Sequence, residues 1–204
     1  MILTAGIDID EVLRRFVDRL IEVYKKDYPD HEIKEITEWK LSPFFPIGKG
    51  INNYYAYSRA PEIYGHAACF EGAQEFLDNL KKLGCNVILI SSQPSDIAKE
   101  FTIKWLSWLN FSYDALVFTS QKYKIHCDIY LGDSPDNIEE LIKYGKRAVY
   151  FTRKWNENKS GERVSSFNEF IKLIEEIIKN YTDSIDYTND TNYNDNDDFA
   201  IGAI

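Results

Sequence analysis

Two carboxylates, Asp8 and Asp10, stand two residues apart where the first apolar segment of the chain ends. In a regular strand, side chains at positions i and i+2 point to the same face. Two like charges held side by side repel each other, so the pair favours a bound cation. Because hard oxygen ligands favour Mg²⁺, the spacing predicts a magnesium site. A solvated strand end, with Asp10 capping the next helix, is the alternative interpretation.

Hydroxyl, ammonium and carboxylate groups recur around later apolar segments. Ser91 and Ser92 follow one of these segments and Asp133 follows another, while Lys122 lies on the connection that enters the latter. Ligands of open α/β sheets bind outside the carboxyl ends of the strands, so these groups should meet the first two carboxylates on one rim. Singly, each also fits a polar strand end, a surface lysine or a capped turn. Together they fit phosphoryl transfer, with one acid as nucleophile and another as proton carrier.

Apolar and amphipathic segments alternate along the chain and predict the elements that would position these groups. Five strands are expected at 2–8, 86–90, 115–118, 129–131 and 148–151, with helices at about 12–28, 72–83, 95–109, 137–144 and 167–180. Strands that alternate with helices imply right-handed crossovers and a parallel sheet covered on both faces. The predicted fold class is therefore α/β.

The segment between the first two strands differs in character from the rest. Residues 30–67 hold three of the six prolines and many aromatic side chains, which favours short helical pieces joined by turns. A segment this long and irregular is better explained as an inserted cap than as one loop. We therefore predict one domain over residues 1–181, with a core of 1–16 and 68–181 and a helical cap at about 17–67.

Composition limits the function classes. The net charge of −9 argues against a protein that binds nucleic acid or membrane surfaces through charge alone. Residues 182–204 carry six of those charges as aspartates without a lysine or arginine, and they predict an acidic, disordered tail. Three cysteines without metal-ligand spacing, and the lack of a membrane span or signal-peptide pattern, indicate a cytoplasmic protein.

The order of these motifs resembles the haloacid dehalogenase (HAD) superfamily of phosphohydrolases. Within it, the chain is most similar to the 5′(3′)-deoxyribonucleotidase, or cytosolic 5′-nucleotidase type C, family. Four stretches carry the likeness: Gly6 to Phe16, Phe70 to Leu80, Lys122 with Asp128 to Asn137, and Phe151 to Asn156. The resemblance implies a Rossmannoid three-layer fold with a parallel sheet of about five strands and a small helical cap between the first and second motifs.

The resemblance also implies roles for the carboxylates. Asp8 would be the nucleophile that forms an aspartyl-phosphate, and Asp10 would be the general acid and base. Asp8, the backbone carbonyl of Asp10, and Asp133 would hold Mg²⁺.

The remaining implied roles concern substrate binding. Ser91 and Ser92 would bind phosphate, and Lys122 would stabilise its charge. Phe16 would face the base of a nucleotide. The cap aromatics that would complete the nucleoside pocket are Phe44, Phe45 and Tyr54.

Three departures from the family pattern stand out. Glu11 occupies a position that is usually glycine, Gly132 stands where the family often has a second acid, and Gln93 lengthens the segment before Pro94 by one residue. They bear on substrate preference more than on reaction type.

The predicted function is removal of phosphate from (deoxy)nucleoside monophosphates. A sugar phosphate or a polynucleotide 3′-phosphate as substrate, or a binding module that has lost catalysis, are the alternatives. We expect no membrane partner and no stable nucleic-acid complex. The sequence does not fix the oligomeric state, and a homodimer is one state that it allows.

Overall fold

The fold is built on one parallel sheet. A computed structural model describes residues 2–190, with the side chains of 184–190 left out. Its strands follow the order β3-β2-β1-β4-β5-β6. They are β1 Thr4–Ile7, β2 Asn86–Ser91, β3 Ala115–Phe118, β4 Ile129–Gly132, β5 Ala148–Phe151 and β6 Arg163–Val164. The predicted α/β class and HAD-like architecture are confirmed. The sixth strand escaped prediction because two residues are too short to show alternation.

Seven helices are present in the described part of the chain. They are α1 Phe16–Asp27, α2 Gly50–Asn53, α3 Ala60–His66, α4 Ala73–Lys82, α5 Asp96–Leu109, α6 Pro135–Lys143 and α7 Phe167–Asp190. The first begins four residues later than the apolar pattern predicted. The last runs to Asp190, so residues 182–190 are helical and not part of a disordered tail. The rest of the predicted tail, residues 191–204, lies outside the described residues.

The topology brings the ends of β1, β2 and β4 together. The chain builds β2 and β3 on one side of β1 and then returns to its other side with β4. Ile7 is in register with Leu89 of β2 and with Leu131 of β4, so the residues that follow these strands share one edge. The strand order reverses between β1 and β4, which is where open α/β sheets bind their ligands.

Three apolar clusters stabilise the described part of the chain, and the smallest packs Tyr130 of β4 and Tyr150 of β5 against Ile138 of α6. The largest one packs strands β1, β2 and β4 against helices α4 and α7. A second cluster contains buried side chains that lie between Phe16 and Tyr64, together with Ala98 of α5. The inserted segment thus has a core of its own, which sits over the carboxyl edge of the sheet. None of the helices among the described residues has the length and apolarity needed to cross a membrane.

Candidate active site

The loop after β1 is tightly closed on one carbonyl group. The Ile9 carbonyl accepts hydrogen bonds from the amides of Leu13, at 2.8 Å, and Arg14, at 2.9 Å. This turn delays the start of α1 and gives Glu11 a φ of +57°, in the left-handed region that favours glycine. The conformation explains why glycine is common at this position. It also shows that the chain tolerates the strain of a larger residue there.

Glu11 turns its side chain inward and caps α1. Its Oε1 accepts a hydrogen bond from the Val17 amide at 2.7 Å, while Arg15 at the N-cap position makes no side-chain cap. Its Oε2 lies 3.8 Å from Nε of Arg153. Burial raises the pKa of Glu11 to about 7, against the effects of the Val17 amide and of Arg153. The extra carboxylate thus serves the helix that leads into the cap.

Asp8 and Lys122 form a buried ion pair at the end of β1. Oδ2 of Asp8 accepts a hydrogen bond from Nζ of Lys122 at 2.5 Å, and Oδ1 accepts one from the Ile9 amide at 2.9 Å. Both side chains are less than 10% exposed. Burial raises the pKa of Asp8, and the charge of Lys122 opposes that rise. The pair places a carboxylate and an ammonium group where the sequence predicted both.

Asp133 follows β4 and is completely buried. Its Oδ2 accepts a hydrogen bond from Nε1 of Trp155 at 3.1 Å, and its backbone carbonyl accepts one from Nδ2 of Asn156 at 2.9 Å. Its Oδ1 is buried without a hydrogen-bond partner in the described structure. Burial, and then the charges of Asp8 and Glu11, raise the pKa of Asp133 well above its usual value. The site therefore lacks positive charge at an oxygen that is free to bind a cation.

The donor set at this point fits a hard divalent cation. Within the described residues, no group of three or more acidic, histidine or cysteine side chains is arranged to hold a metal ion. The expected set needs only two such side chains, Asp8 and Asp133, together with the backbone carbonyl of Asp10. The unpartnered Oδ1 of Asp133 is the structural feature that supports this set.

The Asp10 side chain lies at the border between this buried cluster and solvent. Its Oδ1 accepts a hydrogen bond from Nε of Arg14, and its Oδ2 accepts one from Nε2 of Gln93, both at 2.8 Å. The side chain is 24% exposed, whereas that of Arg14 is fully buried. Neither partner of Asp10 was identified from the sequence.

The two serines after β2 have different surroundings. Ser91 is buried, and its Oγ lies 2.8 Å from Nε2 of Gln93, the same nitrogen that contacts Asp10. Ser92 is exposed, and its hydroxyl donates to the Thr119 carbonyl at 2.9 Å. The structure therefore brings Ser91 to the predicted site and directs the Ser92 hydroxyl to the backbone after β3.

A cavity of about 470 Å³ lies between the cap and the core. Its lining includes Asp10, Glu11 and an aromatic group that consists of Phe16, Trp39, Tyr55, Tyr64 and Trp155. Sites for small molecules have volumes of about 300–1,000 Å³ and are lined largely by apolar and aromatic side chains. Asp8 and Lys122 instead border a separate small space of about 10 Å³, which shares no lining residue with the cavity in the described part of the chain. Of the two acids after β1 that the sequence singled out, Asp10 is the one that lines the cavity.

Phe16 is the only one of the four predicted pocket aromatics that lines this cavity. The Phe45 ring packs edge-on against Tyr24 at 5.0 Å between centroids, and the Tyr54 hydroxyl donates to Asp27 at 2.8 Å. Phe44 is half-buried against the same cap cluster. These three side chains stabilise the cap and do not face the cavity, which corrects the prediction.

The aromatics that do line the cavity carried weak signals in the sequence. Tyr54 and Tyr55 are neighbours in a π-helical turn at 54–58, so one faces the cap core and the other the cavity. Composition alone does not distinguish two adjacent tyrosines. Trp155 lies in one of the stretches that carry the family likeness, and this could have identified it.

The order of the strands in the sheet and the acidic groups at its carboxyl edge define a HAD-like α/β fold. Solved structures with this fold include a haloacid dehalogenase-like hydrolase from Streptococcus pneumoniae, with a TM-score of 0.58 and 13% identity over 85% of this chain and 98% of that one. A HAD-like hydrolase from Bacillus subtilis, in a structure described as bound to magnesium, gives a TM-score of 0.56 and 10% identity over 84% of this chain and 98% of that one.

The family follows from the sequence itself. Residues 1–180 match the family described as "5' nucleotidase, deoxy (Pyrimidine), cytosolic type C protein", and the chain belongs to it. A relative from Chlorobaculum tepidum, named "Putative 5'(3')-deoxyribonucleotidase", is 24% identical over 187 residues, which cover 85% of this chain and 90% of the relative. The protein is accordingly a phosphoric monoester hydrolase of the HAD type, as predicted.

Proposed function

We propose that the protein removes phosphate from (deoxy)nucleoside monophosphates through an aspartyl-phosphate on Asp8, with Mg²⁺ as cofactor. The observation that carries the proposal is an aromatic cavity lined by Asp10, at the same edge of the sheet as the buried Asp8–Lys122 pair and Asp133. The family description and the name of the Chlorobaculum tepidum relative support a nucleotide as substrate.

The chain's own residues account for both halves of the reaction. A carboxylate oxygen of Asp8 attacks phosphorus, and the bond from phosphorus to the nucleoside oxygen breaks as Asp10 gives that oxygen a proton. Lys122 binds the phosphoryl oxygens as their charge grows, and Ser91 holds them from the end of β2. Water then attacks phosphorus, passes a proton to Asp10, and releases phosphate from Asp8.

The proposed cofactor site consists of Asp8, Asp133 and the backbone carbonyl of Asp10. Bound Mg²⁺ neutralises the charges of the phosphate and the nucleophile, which otherwise repel each other. The unpartnered Oδ1 of Asp133 and the magnesium-bound Bacillus subtilis relative support this choice.

The cavity suits a nucleoside better than a small sugar. Tyr55, Trp39 and Phe16 line the cavity, and base–aromatic stacking contributes about 1–3 kcal/mol per base. A sugar phosphate has no aromatic ring to stack against this lining. The aromatic lining is therefore the feature that favours nucleotides over the sugar phosphates considered above.

A phosphate-release assay tests the proposal directly. The panel contains 5′ and 3′ monophosphates of ribo- and deoxyribonucleosides, two sugar phosphates and an oligonucleotide with a 3′-phosphate. We expect rapid release from at least one nucleoside monophosphate, dependence on Mg²⁺, and loss with EDTA. Equal, negligible rates on all nucleotides with release from a sugar phosphate would refute the nucleotide assignment.

The Asp8→Asn variant tests the nucleophile. We expect turnover to fall by at least about 10⁴-fold because an amide does not attack phosphorus. The matched control is Asp96→Asn, an exposed aspartate at the start of α5, which should keep wild-type activity. Normal turnover in a folded Asp8→Asn protein would exclude the aspartyl-phosphate.

The location and assembly of the protein belong to the same proposal. A cytoplasmic location is supported by the word "cytosolic" in the family description and by three cysteines that are free thiols. A homodimer is tested by light scattering on the full chain at micromolar concentration.

A further inference from the structure

Arg14 is an arginine buried at the point where the core meets the cap. Its side chain is fully inaccessible to solvent. The guanidinium carbon lies 5.0 Å from the Tyr64 ring centre and 4.9 Å from that of Trp105. Burying a cation costs free energy unless the cation is paired and hydrogen-bonded. The contacts of the Arg14 guanidinium should therefore indicate its role.

Each nitrogen of this guanidinium has an acceptor on a different element. Nε donates to Oδ1 of Asp10 at 2.8 Å, in the loop after β1. Nη1 donates to the Tyr64 carbonyl at 3.0 Å, in cap helix α3, and Nη2 donates to Oγ1 of Thr102 at 3.1 Å, in core helix α5. Because the planar guanidinium has a fixed geometry, these two outer contacts fix the direction of the Nε–H bond.

The two oxygens of Asp10 are therefore not equivalent. Oδ1 faces the protein interior and is held by a charged donor. Oδ2 is held by the neutral amide of Gln93, a half-buried side chain, and Asp10 itself lines the cavity. A substrate can displace the Gln93 amide from Oδ2 without unburying a charge, whereas displacing Arg14 from Oδ1 would do so.

We infer that Arg14 is a positioning residue for Asp10. It locks Oδ1 so that Oδ2 is the oxygen that exchanges a proton with the leaving group and with water. It also links that orientation to the cavity wall, since Tyr64 both accepts from Arg14 and lines the cavity. The inference rests on the proposed function, in which Asp10 is the acid and base.

Leaving-group dependence separates this role from a merely structural one. A nucleoside oxygen is a poor leaving group that needs a proton, whereas p-nitrophenolate leaves without one. Loss of Arg14 should therefore slow nucleotide hydrolysis but spare the first release of p-nitrophenolate from p-nitrophenyl phosphate. The second half of the reaction still needs Asp10, so the aryl substrate should show a burst followed by slow turnover.

The experiment compares wild type, Arg14→Met and Arg14→Lys in the full chain. We expect Arg14→Met to lower kcat for the best nucleoside monophosphate by about 100-fold, which is within the range for a displaced proton donor. The p-nitrophenolate burst, followed by stopped flow, should slow by less than about 3-fold. Arg14→Lys should be intermediate because an ammonium group cannot span the three acceptors in one plane.

The control is Arg59→Met, which removes another arginine that joins cap elements. Arg59 binds Asp27 and Glu62 and makes no contact with Asp10. This substitution should lower the melting temperature and change the rates on both substrates by the same factor.

Each outcome decides between the alternatives. The inference is overturned if a folded Arg14→Met protein keeps its nucleotide kcat, or if its nucleotide kcat and p-nitrophenolate burst rate fall by the same factor. The proposed function would stand in either case. If Arg14→Met fails to fold by circular dichroism, Arg14→Lys decides, with a nucleotide loss of about 10-fold expected against an unchanged burst. A wild type that hydrolyses neither substrate overturns the proposed function and this inference with it.

Discussion

Replacing Glu11 tests how the chain compensates for the missing glycine in the loop after β1. Glu11→Gly relieves a left-handed backbone that costs a non-glycine residue roughly 1–2 kcal/mol. Against this, glycine loses more entropy on folding, by roughly 0.5–1 kcal/mol. These two effects largely cancel, so the side-chain contacts of Glu11 should decide the sign.

Those contacts favour glutamate. Loss of the hydrogen bond to the Val17 amide removes the cap of α1, which costs about 1 kcal/mol. Loss of the carboxyl group leaves Arg153, which lies between the rings of Phe70 and Phe151, without the polar group that faces it, which costs roughly another 1 kcal/mol. We therefore expect Glu11→Gly to destabilise the protein by about 2 kcal/mol near pH 5, equivalent to roughly 4–8 °C in melting temperature. The loss should shrink as the pH rises toward 7, because burial raises the pKa of Glu11 and so disfavours its ionised form in the folded state.

Thermal denaturation of three variants separates the contributions. Glu11→Ala keeps the backbone strain but avoids the entropy cost of glycine, and it loses the same contacts, so it should melt close to Glu11→Gly. Glu11→Gln keeps an acceptor for the Val17 amide and should melt closest to wild type. A Glu11→Gly protein as stable as wild type, or an alanine variant that melts with wild type, would refute the reasoning.

Two further substitutions probe the metal site and the cavity. Trp155→Phe removes the donor to Oδ2 of Asp133, and loss of such an outer contact typically weakens metal binding by about 10–100-fold, which a Mg²⁺ titration of activity measures. An unchanged Mg²⁺ requirement would contradict the metal role of Asp133. Tyr55→Ala should raise KM for the nucleotide by about 10-fold through lost stacking, whereas the exposed control Tyr57→Ala should leave it unchanged. Equal KM values for the two variants would place the base elsewhere.

The sheet and the acidic rim were predictable because their signals are local and strong. The run from Val87 to Ile90 is apolar throughout, as expected of a strand covered on both faces, and the same holds for 129–131. Because the carboxyl ends of parallel strands share one edge, Asp8, Ser91 and Asp133 must lie there together. Their meeting follows from topology and needed no knowledge of side-chain packing.

The partners of these residues were not predictable in the same way. Arg14 lies in a segment that reads as the start of a helix, where an arginine suggests a solvated face. It is buried because the chain turns on the Ile9 carbonyl before α1 begins. The sequence shows Gln93 as an extra residue before Pro94. It does not predict that the Gln93 amide connects Asp10 to Ser91, because that bridge depends on tertiary contacts. The prediction of the pocket aromatics failed for a related reason. A small cap needs some of its aromatic rings for its own core, and the sequence does not show which ones.

The charges around the rim show why a cation belongs at Asp133. Three of the four carboxylates there have a basic partner. Asp8 lies 2.5 Å from Lys122, Asp10 lies 2.8 Å from Arg14, and Glu11 lies 3.8 Å from Arg153. Asp133 has no ion-pair partner among the described residues, and one of its oxygens lacks even a hydrogen bond. With formal charges, the cluster is therefore one unit negative and repels a phosphate dianion. One Mg²⁺ reverses that sign, so EDTA should prevent substrate binding as well as the chemical step.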